Sequence, residues 1–555
     1  MKKLIYILLG ALLFVSCEDE LNLSSKTNLS DSTFWLTVSD FEKAANNFYG
    51  SIGGVGSYSD ENSDLSYGNG TNTVSAGTFL APESDNTWNG NYSTIRGTNT
   101  FLEKAEAATI KDDIKRYVAE VKWFRALAYY RLVERFGDVP LITKALDLNS
   151  EELYGSRSPR TQVIDFVLSE LETAAADLPK QSQLSANEIG RITQGAAYAL
   201  KARVALFEGT WSKYHNGDKA DERLQKAIDA AKKVMDSNEY GMFVYAANPE
   251  HSYRYQAIEE GNDSKEQIVA RRYHSEDGPG HAIQHWIAHG GSYDPTKKLA
   301  DMYLCTDGLP ISKSDLFKGR DKMTTEFENR DPRMWNTIAK PGVHMKTRDD
   351  HDGAKAKYPD KGQHQGLYFP YKYCSEFVPG YSWGKSEFFY RLIRYPEVLL
   401  IYAEAIFEKN GSITDEQLEE SVNVIRGRVN MPDLTNAFVT SNSLDMKTEI
   451  RRERSIELAL EGFRLHDLRR WKTAEVELAQ PIKGVKYTGT EFETVTDDAG
   501  ARRYDTAYKL DADGFIIVDR ADNRKWAAGN DKLYLFPLPT KQLLLNENLK
   551  QNPGW

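Results

Sequence analysis

Residues 119–142 read AEVKWFRALAYYRLVERFGDVPLI. Phe124, Leu127, Ala128 and Leu132 fall at i, i+3, i+4 and i+8, so they share one face of a helix. Gly137 stops that helix, and Pro140 keeps it from resuming. The same grammar recurs downstream. Ser158-Pro159 offers a capping residue followed by proline at the first helical position. Val163, Phe166, Val167, Leu171, Ala174 and Leu178 form the next stripe. ITQGAAYALKARVALFEG (192–209) carries alanine at helical spacing, which lets helices approach closely, and residues 221–235 make a fourth helix. Helix–short turn–helix pairs with small residues at their contacts predict a mostly α chain, a tetratricopeptide-like α–α superhelix.

Beyond residue 240 the pattern changes. Gly, Pro, His, Tyr and Asp replace the stripes up to about residue 390. RRYHSEDGPGHAIQHWIAHGGSYDP (271–295) reads as an extended loop, too aromatic to be disordered. Helical spacing returns over 393–411, 415–429 and 444–472. Residues 480–532 are polar and predict loops with short strands. The second part is therefore an irregular, loop-rich subdomain with returning helices.

The N-terminus, MKKLIYILLGALLFVSCEDE, has a positive start (Lys2, Lys3) and an apolar run from Leu4 to Val15. That run is too short for a stable membrane span. Phe14-Val15-Ser16-Cys17 resembles a bacterial lipobox, with Phe14 where leucine is commonest. On that reading residues 1–16 are a lipoprotein signal peptide, Cys17 carries lipid, and acyl chains hold the protein on a membrane. Residues 17–32, opening on Glu18, Asp19 and Glu20, form an acidic, polar tether. Residues 33–240 are the N-terminal helical region and 241–555 the C-terminal region.

The 555 residues carry a formal net charge of −11. No basic stripe interleaved with aromatics is present, so nucleic acid is not an expected partner. Three cysteines occur, Cys17, Cys305 and Cys374. With Cys17 lipidated, export would permit a Cys305–Cys374 disulfide, but so sparse a set reads better as two buried thiols. No CxxC pair suggests a zinc site.

Taken in order, these segments resemble the SusD/RagB family of Bacteroidetes outer-membrane lipoproteins. FWLTVSDFEKAANNFYG (34–50) is similar to the family's opening helix. FRALAYYRLVERFGDVPLI (124–142) and GRITQGAAYALKARVALFEG (190–209) match its first two signatures. NRDPRMWNTI (329–338), IRYPEVLLIYAEA (393–405, with Pro396 where alanine is frequent) and ERSIELALEGFRLHDLRRW (453–471) follow. LFPLPTKQLLLNENLKQNPGW closes the chain as the family does. The resemblance implies four tetratricopeptide-like pairs with a more irregular subdomain on them. It implies a binding protein rather than an enzyme, with no cofactor. It also implies a lipid-anchored place on the outer face of the outer membrane. There the protein would capture oligosaccharides and deliver them to a SusC-like TonB-dependent transporter.

Glu453, Glu457 and Glu461 stand at i, i+4 and i+8. Paired carboxylates serve glycoside hydrolysis, but Arg452, Arg454, Arg464, Arg469 and Arg470 around them favour an ion-pair network between helices. Arg330-Asp331-Pro332-Arg333 reads as a turn with paired charges.

Two stretches carry the binding expectation, because rings cover the apolar faces of sugars while Asn, Asp, Arg and His meet the hydroxyls. The first is 51–95, with Tyr58, Tyr67, Trp88, Asn91 and Tyr92. The second is 271–295, with His281, His285, Trp286, His289 and Tyr293. Trp383 in PGYSWGKS adds a further candidate. Trp88 equally fits a core anchor for the helix it precedes. Trp286 has Ile283 and Ile287 beside it and could be buried, but its polar, histidine-rich setting favours a ligand. His281, His285 and His289 would align on a short helix. They lack the glutamate of HExxH, and glycines bracket them, so sugar contact is the better reading. Two other functions remain open: a scaffold binding peptide or protein, and a lipid-anchored glycoside hydrolase.

Overall fold

The computed structural model describes residues 34–274, 276, 278, 280–288, 293–343, 364–375, 384–497, 499–505, 507–518 and 523–555. The expected signal peptide, Cys17 and the whole tether, together with His289 and Trp383, lie outside these residues.

Helices dominate. The long ones are α1 (Val38–Asn46), α2 (Asn86–Ala107), α3 (Lys111–Phe136), α4 (Arg160–Asp177), α5 (Gln194–Tyr214), α6 (Ala220–Asp236) and α7 (Tyr395–Asn410). Two shorter ones, α8 (Met446–Glu457) and α9 (Arg464–Arg470), hold the last signature. Local chemistry fixes their starts. Thr37 and Asp40 form a capping box before α1, and Asp85 accepts from Thr87 N and Trp88 N before α2. Gly137 stops α3 as expected. The proline before α4 sits one position earlier than expected. Pro159 is the cap, and the Ser158 backbone pairs with Val139 instead of capping. The spacing over 444–472 is broken as well. Helix α8 ends at Glu457, and Glu461 lies in the turn before α9.

Each helix from α2 to α7 packs on its predecessor, and α8 packs on α7. The helical stack thus passes from α6 directly to α7, although the loop-rich segment between them is long. Small residues set the spacing. A Cβ on Gly209 of α5 would stand 2.9 Å from Leu224 Cγ of α6. Trp123 is fully buried, and its indole N–H donates to Ala196 O across the α3–α5 contact. Strands are few among the described residues: β1 (Ser66–Tyr67) pairs with β3 (Asp294–Pro295), β2 (Gln267–Arg271) with β4 (Tyr390–Arg394), and β5 (Lys483–Lys486) with β6 (Phe515–Ile517), all antiparallel. Cys305 and Cys374 are buried thiols. No helix among the described residues is long and apolar enough to cross a membrane.

Charge is buried alongside the apolar core. Glu453, Glu457, Glu461, Glu266 and Asp331 meet Arg333, Arg394, Arg426, Arg428 and Lys372 in one network. Five carboxylates face five cations, so the cluster is neutral. Asp331 also caps the helix Pro332–Thr337. The Arg330–Arg333 segment is therefore a helix start joined to this network, not a free turn. Burial alone would push the three glutamates up, but the guanidiniums beside them hold all three below the usual carboxylate range. A carboxylate held ionised in this way is unsuited to act as a general acid.

The turn between α8 and α9 makes one demand that only glycine meets. Gly462 has φ +83°, and a Cβ there would lie 2.5 Å from Ser57 O. Gly462→Ala is expected to lose about 1–3 kcal/mol, the usual cost of such backbone strain. Urea unfolding checks this, and a midpoint equal to wild type would contradict the close approach.

Candidate ligand-binding site

The two stretches singled out in the sequence meet in space. Ser66 pairs with Pro295 and Tyr67 with Asp294 through β1 and β3. Around this pair Tyr293 N–H donates to Glu61 Oε1 at 2.9 Å, and Thr296 Oγ1 donates to Asp64 O at 2.7 Å. His364 Nδ1 lies 2.7 Å from Asp294 Oδ1, and Gly366 N–H donates to the Tyr67 hydroxyl at 2.6 Å. Burial pushes the Asp294 carboxyl up, against the pull of His364. A cavity of about 120 Å³ opens beside the junction, lined by Glu61, Tyr67, Gly68, Asn72 and Gln365 among others.

The individual side chains fare differently from their stretches. Tyr67 (6% exposed), Trp88 (5%), His281 (7%) and Tyr293 (5%) are core residues. Trp88 packs edge-on to Phe136 at 5.3 Å and tilted over Tyr92 at 4.9 Å, which makes it the helix anchor. His281 lies with Nε2 2.9 Å from Phe388 O, wedged between Tyr273 and Phe388. Burial lowers its pKa to about 4, so it is a neutral, structural ring at pH 7. Tyr58 is buried and stacks on Tyr373 at 4.7 Å. His285 and Trp286, on the short helix Ile283–Ala288, are partly buried. The loops are aromatic because they thread the core. Most of their rings serve packing, a distinction that composition cannot make. Among the described residues no group of His, Cys, Asp and Glu is placed to hold a metal.

A larger opening draws on the same first stretch, Asn91 included. A cavity of about 580 Å³ lies between α2, α3 and α9. Its α2 wall is Thr87, Gly90, Asn91 and Thr94, at i, i+3, i+4 and i+7. Opposite stand Arg131, Glu134 and Arg135 of α3, and His466 and Arg469 of α9. That small, polar helix face was the signal available in the sequence. The volume falls in the range of ligand pockets, about 300–1,000 Å³. One loop separates the two openings: Asn62 and Val74 line the larger, Glu61 and Ser75 the smaller.

Comparison with known proteins follows this geometry. Residues 253–555 match the profile of the SusD family, and residues 20–206 match a second profile described as starch-binding, associating with the outer membrane. A SusD-like protein of Formosa agariphila is 25% identical over 511 residues, 87% of this chain and 93% of that protein. The starch-binding protein SusD of Bacteroides thetaiotaomicron is 27% identical over 162 residues, 29% of this chain and 27% of that one. Among solved structures, a SusD-like carbohydrate-binding protein of Bacteroides fragilis matches with a TM-score of 0.75 at 25% identity. The match covers 93% of this chain and 100% of that one.

Proposed function

The chain belongs to the SusD family, and from that premise we propose that it is a cell-surface glycan-binding lipoprotein. It captures an oligosaccharide outside the cell and passes it to a SusC-like TonB-dependent transporter, while lipid on Cys17 holds it to the outer membrane. The observation that carries the reading is the convergence of residues 51–95 and 271–295 at the β1–β3 pair. Two loop stretches far apart in sequence are thereby joined, and the second also carries the partly exposed Trp286 and His285. The Trp286 ring stacks on a sugar, and loop polar groups take the hydroxyls. Tyr67, Trp88, His281 and Tyr293 act from beneath by fixing the loops. Binding without hydrolysis is the expected activity, since the conspicuous glutamates are spent in the buried ion-pair network.

The test is an affinity-gel and glycan-array screen of the folded body beside Trp286→Ala. Loss of a stacking ring weakens binding by about 0.5–1.5 kcal/mol or more. Retention on one glycan class, reduced in a variant that unfolds like wild type, is the expected result. Retention of a peptide library and of no glycan would replace this reading with a peptide-binding one.

A further inference from the structure

Resting on the glycan-binding reading, we propose that the 580 Å³ cavity is a subsite for an acidic sugar, one bearing a carboxylate or sulfate group. Its aromatic contribution is spent. The Phe536 ring is 6% exposed and covered by the Arg135 guanidinium at 3.8 Å. What the cavity offers instead is charge and hydrogen bonds. Arg131, Arg135, Arg469 and His466 face a single lining carboxylate, Glu134.

The partners of these groups decide which charge is available. Arg135 is paired with Asp85 at 2.7 Å, and His466 Nδ1 lies 3.0 Å from Glu134 Oε1. Arg131 and Arg469 have no carboxylate within ion-pair distance among the described residues. Arg131 donates to the carbonyls of Ser51 and Ile52, and Arg469 to those of Tyr534 and Glu134. Elsewhere in the molecule the buried Arg333, Arg394, Arg428, Arg464 and Arg470 meet carboxylates directly, while Arg330 and Arg391 are held by carbonyls but line no part of this cavity. Burial lowers the pKa of Arg131, and lowers that of Arg469 to about 9, the mark of charge left uncompensated. A cleft with this local excess of positive charge attracts anions at short range, against the long-range repulsion of a chain of net charge −11.

The hydrogen-bonding groups suit a sugar. Asn62 Oδ1 is buried without a hydrogen-bond partner, an acceptor ready for a hydroxyl. Thr87, Asn91 and Thr94 add small polar groups along one wall. A smaller chamber of about 200 Å³ shares Ser57, Arg131, Glu134 and His466 with this cavity and continues its polar lining inward.

The experiment measures binding of four probes: oligogalacturonate, its methyl ester, a κ-carrageenan oligosaccharide, and its desulfated form. A neutral glycan array runs alongside. Arg131→Gln removes the charge but also contacts with two carbonyls, and it can disturb folding. Asn86→Asp is the second variant. Asn86 is exposed at the first position of α2, where a carboxylate favours the helix, and it puts a negative charge on the cavity rim. The expected result is binding of an acidic probe over its neutral counterpart. That binding weakens as salt rises and is about two- to threefold weaker in Asn86→Asp, the scale of one added charge at about 10 Å after screening. The carboxylated and sulfated arms say which anion is taken. Binding of neutral glycans only, or acidic binding that is the same in both variants, overturns the acidic subsite and leaves the glycan function standing. Failure to bind any glycan overturns that function and the subsite with it.

Discussion

Glu457→Ala is expected to destabilise the protein by about 3–5 kcal/mol, the cost of breaking a buried ion pair from one side. Glu457 is fully buried. Its carboxylate accepts from Arg394 Nη1 at 2.6 Å, from Arg428 Nη2 at 2.7 Å and from Arg333 Nη1 at 3.2 Å. Truncation leaves the neighbouring cations one carboxylate short in a place water does not reach. Arg428 suffers most, because its remaining carboxylate contact is Glu266 at 3.3 Å. Arg394 keeps Glu461 and Glu266, and Arg333 keeps Asp331 and Glu453. Domain stabilities are commonly about 5–15 kcal/mol, so such a loss removes a large fraction of the total. Urea denaturation followed by circular dichroism reads it directly. Glu106→Ala is the control: Glu106 pairs with Lys111 in full solvent and should leave the midpoint where it was. Equal midpoints for Glu457→Ala and Glu106→Ala would show that the network does not hold the fold.

That network also shows how far the sequence reaches. The spacing of Glu453, Glu457 and Glu461 named three participants and their structural role, but the arginines expected around them pair elsewhere: Arg452 with Glu449, Arg454 with Asp467, Arg464 with Asp64, Arg470 with Glu404, and Arg469 with the Tyr534 carbonyl. It did not reveal that the helix stops after Glu457, because the stop is set by Leu460 at φ +62° and Gly462 at φ +83°. Nor did it name Arg394, Arg426, Arg428 and Lys372, whose partnership depends on tertiary packing. The helical stripes of α3 to α7 were legible because one face of each helix must be apolar. The site was legible only as stretches. Tyr67, Trp88, His281 and Tyr293 are ring-bearing residues in polar loops, and the same composition serves a sugar platform or a loop pinned to the core. Only their 5–7% exposure separates the two. The polar face Thr87, Gly90, Asn91 and Thr94 could be found from its period, but Arg131 and Arg469 join it from helices far along the chain.

The second large effect is acid unfolding, and its shape follows from opposing groups. Burial alone would raise Asp64, Glu134, Glu408, Glu453, Glu457, Glu461 and Asp467, but their cationic partners bring all seven below the ordinary carboxylate range. A carboxyl depressed in the folded state gives stability that is present above its unfolded pKa and lost as pH falls through the folded one. For these groups that loss begins only below about pH 4.5. Higher up, two trends oppose. His215 and His281, both lowered to about 4 by burial, take stability away between pH 6.5 and 4, because there the unfolded chain binds the protons. Asp60, raised to about 6 by burial, does the reverse: its folded form binds the proton first and returns stability as pH falls from 6 to 3.8. With two histidines against one aspartate, the unfolding free energy should fall by about 1.4 kcal/mol per pH unit from pH 6 to about 4.5 and then more steeply. If three of the seven carboxylates take up protons together, the slope is about 4 kcal/mol per pH unit. Asp60→Asn removes the compensating group, so its stability should fall about twice as steeply as that of wild type between pH 6 and 4.5. Urea titrations at closely spaced pH values decide the matter. A wild-type curve that is flat from pH 6 to 4.5, or an Asp60→Asn curve parallel to wild type, would mean that these buried groups do not set the acid limit of the fold.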